Sequence, residues 1–216
     1  MNATTLPILD LARYADPAEK NGFSGRPSPC GPRDRLLLSD QSSSTMPCKK
    51  LSSSNPAAFF ALPDEQKQPV AMIHSPHFRG YNRAASELTR GQPDWREQFD
   101  IGAERPALRL DDDAPRWQRL QGPNLWPEAL PTLKPTLLSW QRAMTEVGTT
   151  LLRAFAEALA LPDDAFETLY GNKPNEHIKL IRYPGQHETQ SHQASARIKT
   201  PGSSASCFRM SKRVCR

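Results

Sequence analysis

The chain has 216 residues and a mass of 24.1 kDa, which is enough for one domain with a real core. No stretch is apolar for the length that a membrane-spanning helix needs, and the N-terminal "MNATTLPILDLARY" lacks the basic region and apolar run of a signal peptide. We therefore expect no membrane partner and a reducing, cytoplasmic setting.

The net charge of +5 is unevenly distributed. From Ala194 onward every charged side chain is basic, and residues 21–55 also carry more basic than acidic side chains, so the rest of the chain is acidic. The cysteines lie only in these two basic segments: Cys30, Cys48, Cys207 and Cys215.

The first half of the chain predicts short elements separated by loops. Residues 6–14, "LPILDLARY", predict a short strand, whereas residues 21–55 lack periodicity and are Ser-rich, which is typical of a disordered linker. Order returns at "AAFFALPDEQKQ", which predicts a helix that ends at Pro63, with Asp64 capping the next turn. "EQFDIG" is the best strand candidate in the loop-rich region that follows.

The second half contains the clearest helix, over residues 132–160. A short helix that ends at Gly171 and an alternating strand, "HIKLIRYPG", follow it. The apolar stripe that defines the long helix, and that we expect to be core, consists of Leu133, Leu137, Trp140, Met144, Val147, Leu151, Phe155 and Leu159.

The segments "FFALP", "SPHFRGYNR", "TRGQPDWREQFDIG", "GPNLWP" and "HIKLIRYPG" occur in this order, after "LPILDLARY". This arrangement resembles the isopenicillin N synthase-like family of non-haem Fe(II), 2-oxoglutarate-dependent dioxygenases. The resemblance implies an α+β fold, namely the N-terminal helical part and first strands of a double-stranded β-helix (jelly roll), with most of the core missing.

The resemblance also implies which residues the chemistry requires. The family holds Fe(II) with an H-x-D pair soon after "RYPG" and a later His, and an Arg near a Ser binds 2-oxoglutarate. No H-x-D pair follows "RYPG" here, so we expect no catalytic and no metal-binding residues. By the resemblance, intact relatives bind Fe(II), 2-oxoglutarate and a small-molecule substrate. This chain is expected to bind neither cofactor, to be inactive and to be unstable.

A shifted reading frame accounts for the basic C-terminal segment. Translation one base out of register from the codon of Gln193 permits "GVGAHKDSGFLSFLLQDEQKGLQ", which contains the missing H-x-D pair and an apolar run. Shifts over residues 22–42 and 42–55 likewise permit family-like helices and a strand. We interpret the chain as a frameshifted, truncated family member. Its segments are an N-terminal strand region (1–20), a disordered out-of-frame segment (21–56), the rest of the N-terminal domain with the start of the jelly roll (57–185), and a loop with an out-of-frame tail (186–216).

Four residues are candidate contacts in an intact relative. By the resemblance, Arg182 and Tyr183 lie on the strand that lines the mouth of the active site and are candidate cofactor-binding residues. Asn175 and Lys179 flank or lie on this strand and are candidate substrate contacts. The alternative for Tyr183 is a core aromatic whose hydroxyl is hydrogen-bonded.

Other polar residues are better explained without a ligand. His187 and His192, and likewise His74 and His77, lack the spacing or the companions of a metal site and are expected to be loop histidines. Packing is the preferred role, over substrate lining, for Arg79, Tyr81, Trp95 and Phe99.

The alternative function is a non-enzymatic binding protein whose basic tail contacts an acidic partner or nucleic acid. Nucleic acid is the weaker choice, because Phe208 is the only aromatic residue in the tail and no zinc-finger or helix-turn-helix spacing is present.

Overall fold

The structure is a computed structural model that describes residues 8–10, 14, 16, 18, 38–40, 54–89 and 91–184. The chain divides into two compact units, and the boundary falls within a long helix after Gln141. The larger unit comprises residues 50–141 and 174–216, and the smaller unit comprises residues 1–49 and 142–173.

The larger unit begins with two helices. Helix α1 is Ser54–Ala61 and helix α2 is Asp64–Lys67. Pro63 takes the N-cap position of α2, and Asp64 is the first helical residue without a capping side-chain hydrogen bond, so the predicted cap at Asp64 was wrong by one position. A carboxylate in the first turn still complements the helix dipole.

The sheet of this unit has three strands, Gly80–Asn82 (β3), Glu97–Gly102 (β6) and His177–Arg182 (β7), in the order β3–β6–β7. Both pairings are antiparallel. The predicted strands "EQFDIG" and "HIKLIR" are confirmed. A separate hairpin joins Leu88–Thr89 (β4) to Gln92–Pro93 (β5) through Gly91.

The hydrophobic core of this unit packs against one face of the sheet. Phe59 contacts Phe60, Tyr81 and Phe99 through ring pairs with centroids 4.5–5.8 Å apart. The buried cluster consists of Phe59, Phe60, Val70, Tyr81, Phe99, Ile101, Leu133 and Leu137.

The long helix, α3, runs from Leu133 to Ala158 and confirms the predicted helix to within two residues at each end. Its apolar stripe is buried at Leu133 and Leu137 but not throughout, since Phe155 is 40% and Leu159 64% exposed. The expectation that the whole stripe is core was therefore wrong at its C-terminal end.

The smaller unit contains a parallel pair of short strands, Ile8–Asp10 (β1) and Leu38–Asp40 (β2). The strand predicted near the N-terminus is thus confirmed, and β2 lies inside the segment for which we predicted disorder. Helix α4, Glu167–Tyr170, ends at Gly171, whose φ of 54° is a left-handed conformation that favours glycine.

These elements confirm the α+β class. Within the described ranges, no helix combines the length and apolar character that crossing a membrane requires.

Candidate functional site

The two faces of the β3–β6–β7 sheet differ in chemistry. Because side chains alternate along a strand, Glu97, Phe99 and Ile101 of the central strand β6 point to the core, and Gln98 and Asp100 point to the opposite face. We call this opposite side the polar face. All six residues of β6 are buried, so the polar face is covered at β6, whereas the β7 side chains on this face, His177 and Lys179, are partly exposed.

Asp100 is the most buried charged group of the polar face. Its side chain is completely buried, and its Oδ2 lies 3.3 Å from Nζ of Lys179 and 3.6 Å from Nε2 of His177 on β7. Neither carboxylate oxygen accepts a hydrogen bond within the described part of the chain. Lys179 is its cross-strand partner, so the pair links β6 to β7 by charge as well as by backbone.

Gln98 and Glu87 extend the polar face toward β3. The Oε1 of Glu87 accepts hydrogen bonds from Nδ2 of Asn82 and Nε2 of Gln98, each at 2.9 Å. Its Oε2 accepts one from Nη2 of Arg96 at 3.1 Å, and Arg96 also pairs with Asp94 at 3.3 Å. Burial opposes the charge of Arg96, but these two carboxylates outweigh burial and raise the pKa of Arg96.

Gln98 keeps one polar atom unused. With Nε2 committed to Glu87, its Oε1 is buried and accepts no hydrogen bond from the described residues. A buried oxygen without a hydrogen-bond donor costs free energy. The polar face has two groups with such oxygens, the amide of Gln98 and the carboxylate of Asp100.

The core face of the sheet ends in a buried ionic cluster around Glu97. Its Oε2 accepts the hydroxyl hydrogen of Tyr81 at 2.7 Å and lies 3.5 Å from Nζ of Lys67, and its Oε1 lies 2.6 Å from Nε of Arg182. Lys67 also pairs with Asp64 at 3.2 Å. Burial and the hydrogen bond to Glu97 raise the pKa of Tyr81 well above its ordinary value.

A second network fixes the loop beyond β6. The Nη1 of Arg79 donates to the carbonyls of Ala103 and Gly122 at 2.9 and 2.6 Å, and Nη2 donates to the carbonyl of Leu120 at 2.9 Å. Asn124 bonds both backbone groups of Gly102, at 2.8 Å to N and 2.9 Å to O. These contacts hold the loop and the strand end together, which is a packing role.

The four candidate contacts do not form one site. Lys179 lies on the polar face, and Arg182 lies on the core face against Glu97. Tyr183 is half-exposed just beyond the end of β7, and Asn175 is exposed in the turn before β7. Lys179 and Asp100 are together, whereas Arg182 is turned away from them, because odd and even positions of β7 face opposite sides.

The residues expected to pack do so. Tyr81 and Phe99 are in the core cluster, Arg79 is buried in the loop network, and Trp95 is half-buried. The Nδ1 of His77 lies 2.7 Å from the carbonyl of Arg119. His74 ends a 3₁₀ turn, and His187 and His192 lie outside the described residues.

Sequence reasoning missed Glu97, Gln98 and Asp100. The available signal was the presence of three polar residues among the first four positions of "EQFDIG", a segment with a strand pattern that the structure shows to be buried throughout. Buried polar residues at consecutive strand positions indicate partners on both faces of a sheet.

Residues 53–129 match the family described as "non-haem dioxygenase in morphine synthesis N-terminal". The "2-oxoglutarate-dependent dioxygenase frbJ" of Dothideomycetidae sp. (strain 11243) is 35% identical over 127 residues, which are 59% of this chain and 34% of that protein. A "2-oxoglutarate-dependent dioxygenase" of Gibberella zeae is 30% identical over 193 residues, covering 84% of this chain and 48% of that protein. The chain thus spans half or less of the length of these two relatives.

A solved structure has a similar fold. A full-length protein of Neurospora crassa, crystallised in complex with alpha-KG, superposes with a TM-score of 0.60 at 21% identity, covering 85% of this chain and 56% of that one. At this identity the likeness concerns the fold.

Proposed function

Because the chain belongs to the non-haem Fe(II)- and 2-oxoglutarate-dependent dioxygenase family, we propose that it carries the N-terminal part of an oxygenase that couples oxidative decarboxylation of 2-oxoglutarate to oxidation of a small molecule. The observation that carries this proposal is the family match over residues 53–129, which includes β3, β6 and the polar face that β6 forms. In this proposal β6 and β7 supply one wall of the substrate chamber.

Iron is not held by the described residues. The family requires two His and one carboxylate around Fe(II), and within the described ranges no three His, Cys, Asp or Glu side chains are grouped to hold a metal ion. His177 and Asp100 are close, but their partner is Lys179, a cation that opposes a metal. The described part therefore does not fit Fe(II), and we assign it no step that involves the metal.

Lys179 and Tyr183 are the contacts that we propose for the chamber. The Lys179 side chain is 34% exposed on the polar face, and strand alternation gives Tyr183 the same side. Arg182 and Asn175 as cofactor and substrate contacts stay predictions. For Arg182 such a role requires its guanidinium to leave Glu97, at 2.6 Å.

We further propose that the reading frame is disrupted, so that this chain is inactive as written. The basic segment from Ala194 onward, with its shifted-frame H-x-D pair, supports this proposal, as does the position of all four cysteines. Residues 57–185 are then the in-frame part, and residues 21–56 and the tail are out of frame.

The competing function is a binding protein that uses its basic tail on an acidic partner. The feature that favours it is the excess of basic side chains after Ala194, which would give salt-dependent association with polyanions. This function requires that the cell expresses the reading frame of the given sequence, including its basic tail.

One experiment separates the two functions. The gene is resequenced across the codons of Gln193 and Ala194, and both the visible and the restored frames are expressed and assayed for Fe(II)-dependent succinate formation from 2-oxoglutarate. We expect turnover from the restored frame alone. The binding protein would be established instead by two results. Sequencing would confirm the reading frame of the given sequence and find no family sequence downstream, and deletion of residues 194–216 would abolish polyanion binding.

A further inference from the structure

The polar face contains an unusual combination of buried groups. Gln98 and Asp100 are two positions apart on β6, so they lie on the same side of the sheet with their Cα atoms about 7 Å apart. Gln98 is 1% exposed and Asp100 is fully buried, yet the Oε1 of Gln98 and both oxygens of Asp100 accept no hydrogen bond from the described residues. These buried acceptor atoms thus lack a hydrogen-bonded donor, although the cation of Lys179 and the ring of His177 lie 3.3 and 3.6 Å from Asp100.

We propose that Gln98 and Asp100 form a subsite for a guanidinium group of the substrate, a proposal that rests on the function proposed above. A guanidinium carries a full positive charge and five N–H donors in a rigid plane. One edge can bond the carboxylate of Asp100 with two parallel hydrogen bonds, and a remaining N–H can reach the amide oxygen of Gln98. Both unsatisfied acceptors are then paired.

The geometry distinguishes this ligand from other charged groups. An alkylammonium is a compact point charge without a planar fork, so it pairs with Asp100 but does not offer parallel donors to the carboxylate and a further donor to Gln98. A neutral urea has the planar shape but no charge to match the buried carboxylate. An anion would be repelled by the buried carboxylate of Asp100 and would meet another acceptor at the amide oxygen of Gln98.

Lys179 occupies the place of the ligand when the subsite is empty. Its Nζ lies 3.3 Å from Oδ2 of Asp100, beyond the distance of a good charge-assisted hydrogen bond, and its side chain is 34% exposed. Lys179 can therefore swing toward solvent when a better donor enters. His177, at 3.6 Å and half-exposed, lies on the same side of the carboxylate.

The test uses the full 216-residue chain and three probes of the same size: n-butylguanidine, n-butylamine and n-butylurea. Binding is measured by isothermal titration at low salt, and the side-chain amide resonances of Gln98 locate the site. We expect saturable binding of the guanidine, with affinity about tenfold or more above that of the amine, and no binding of the urea. Equal affinity for guanidine and amine, or unchanged Gln98 resonances, would overturn the proposal.

Variants assign the effect to the cluster. Asp100→Asn keeps the shape and removes the charge, so it should reduce guanidine affinity about tenfold or more. Asp112→Asn, which removes the same charge from an exposed loop, should leave it unchanged. Lys179→Met should bind the guanidine more tightly than the parent chain, because the competing cation is gone. A role of Lys179 in structure alone predicts no such gain, and its absence would contradict the proposal.

Failure of this subsite and failure of the proposed function give different results. Guanidine binding requires neither Fe(II) nor 2-oxoglutarate. If the restored frame turns over 2-oxoglutarate and the chain binds no guanidine, the subsite is refuted and the oxygenase stands. If the guanidine binds as described but the restored frame shows no turnover, the oxygenase is refuted.

Discussion

The Nε of Arg182 lies 2.6 Å from Oε1 of Glu97, and this cross-strand pair joins β7 to β6 at the edge of the hydrophobic core. Glu97 is 5% exposed, accepts a hydrogen bond from the hydroxyl of Tyr81 and forms an ion pair with Lys67. Two cations and a phenol therefore converge on one buried carboxylate, and Lys67 also pairs with Asp64. Such a cluster specifies strand register, because a slip of one residue would place the charges on the wrong face.

Glu97→Gln should lower the free energy of unfolding by about 3 kcal/mol, because it leaves two cations beside a neutral amide. Tyr81→Phe, which removes one hydrogen bond from the same carboxylate, should cost only about 1 kcal/mol. Urea unfolding followed by far-UV circular dichroism compares the two. If Tyr81→Phe proved as costly as Glu97→Gln, the charge of Glu97 would not be the stabilising feature.

Local patterns were sufficient to predict the long helix and the strands β6 and β7, but not β2, which lies in the segment for which we predicted disorder. The stripe from Leu133 to Leu159 predicted α3, and alternation predicted β7. The burial of that stripe could not be predicted beyond its first half, because the period of a helix indicates which side is apolar but not how far a partner covers it. Exposed Phe155 and Leu159 are the result.

Arg79→Lys should destabilise the larger unit by about 2 kcal/mol, although it retains the charge. A lysine has one nitrogen, whereas the guanidinium reaches the carbonyls of Ala103, Gly122 and Leu120 from two. Arg83→Lys is the matched control, since Arg83 is exposed and pairs only with Asp64 among the ion pairs described; it should change stability by less than about 0.5 kcal/mol. Thermal unfolding of both variants tests the difference. Equal unfolding midpoints would show that the additional hydrogen bonds of the Arg79 guanidinium do not contribute to stability.

Glu104 should make stability depend on pH in the acid range. Burial favours its neutral form, but hydrogen bonds from Asn124 and from Lys134 prevail and lower the pKa of Glu104. A carboxyl with a lowered folded-state pKa stabilises the protein above its unfolded pKa, about 4.3, and loses this contribution as pH falls through the folded value.

The measurement is urea unfolding of the parent chain and of Glu104→Gln between about pH 7 and pH 3. The parent should be more stable by a constant amount down to about pH 5, and the difference should shrink as pH falls below about 4.3. Glu128→Gln, at an exposed position in the same region, should follow the parent curve throughout. A difference that grows as pH falls would contradict the assigned sign.

The candidate site was less predictable than the fold. Lys179 was selected by resemblance, but its partner Asp100 lies 79 positions earlier in the chain, and only the β6–β7 register brings the two together. Arg182 and Lys179 are close in sequence, yet they face opposite sides of the sheet, because side chains alternate along a strand. Long-range register is set by packing, which a single sequence does not display.

Gly80→Ala should be among the most damaging small substitutions in the chain. Gly80 has a φ of 122°, and an added Cβ would lie 2.4 Å from the carbonyl oxygen of Val70, a backbone atom that cannot rotate away. Strain and overlap together should cost more than about 3 kcal/mol. Gly91→Ala separates the two causes, because Gly91 also has a positive φ, 77°, but no atom within 4 Å of an added Cβ. It should cost about 1 kcal/mol, and similar losses of unfolding free energy for the two variants would show that the contact with Val70 does not decide the requirement for glycine at position 80.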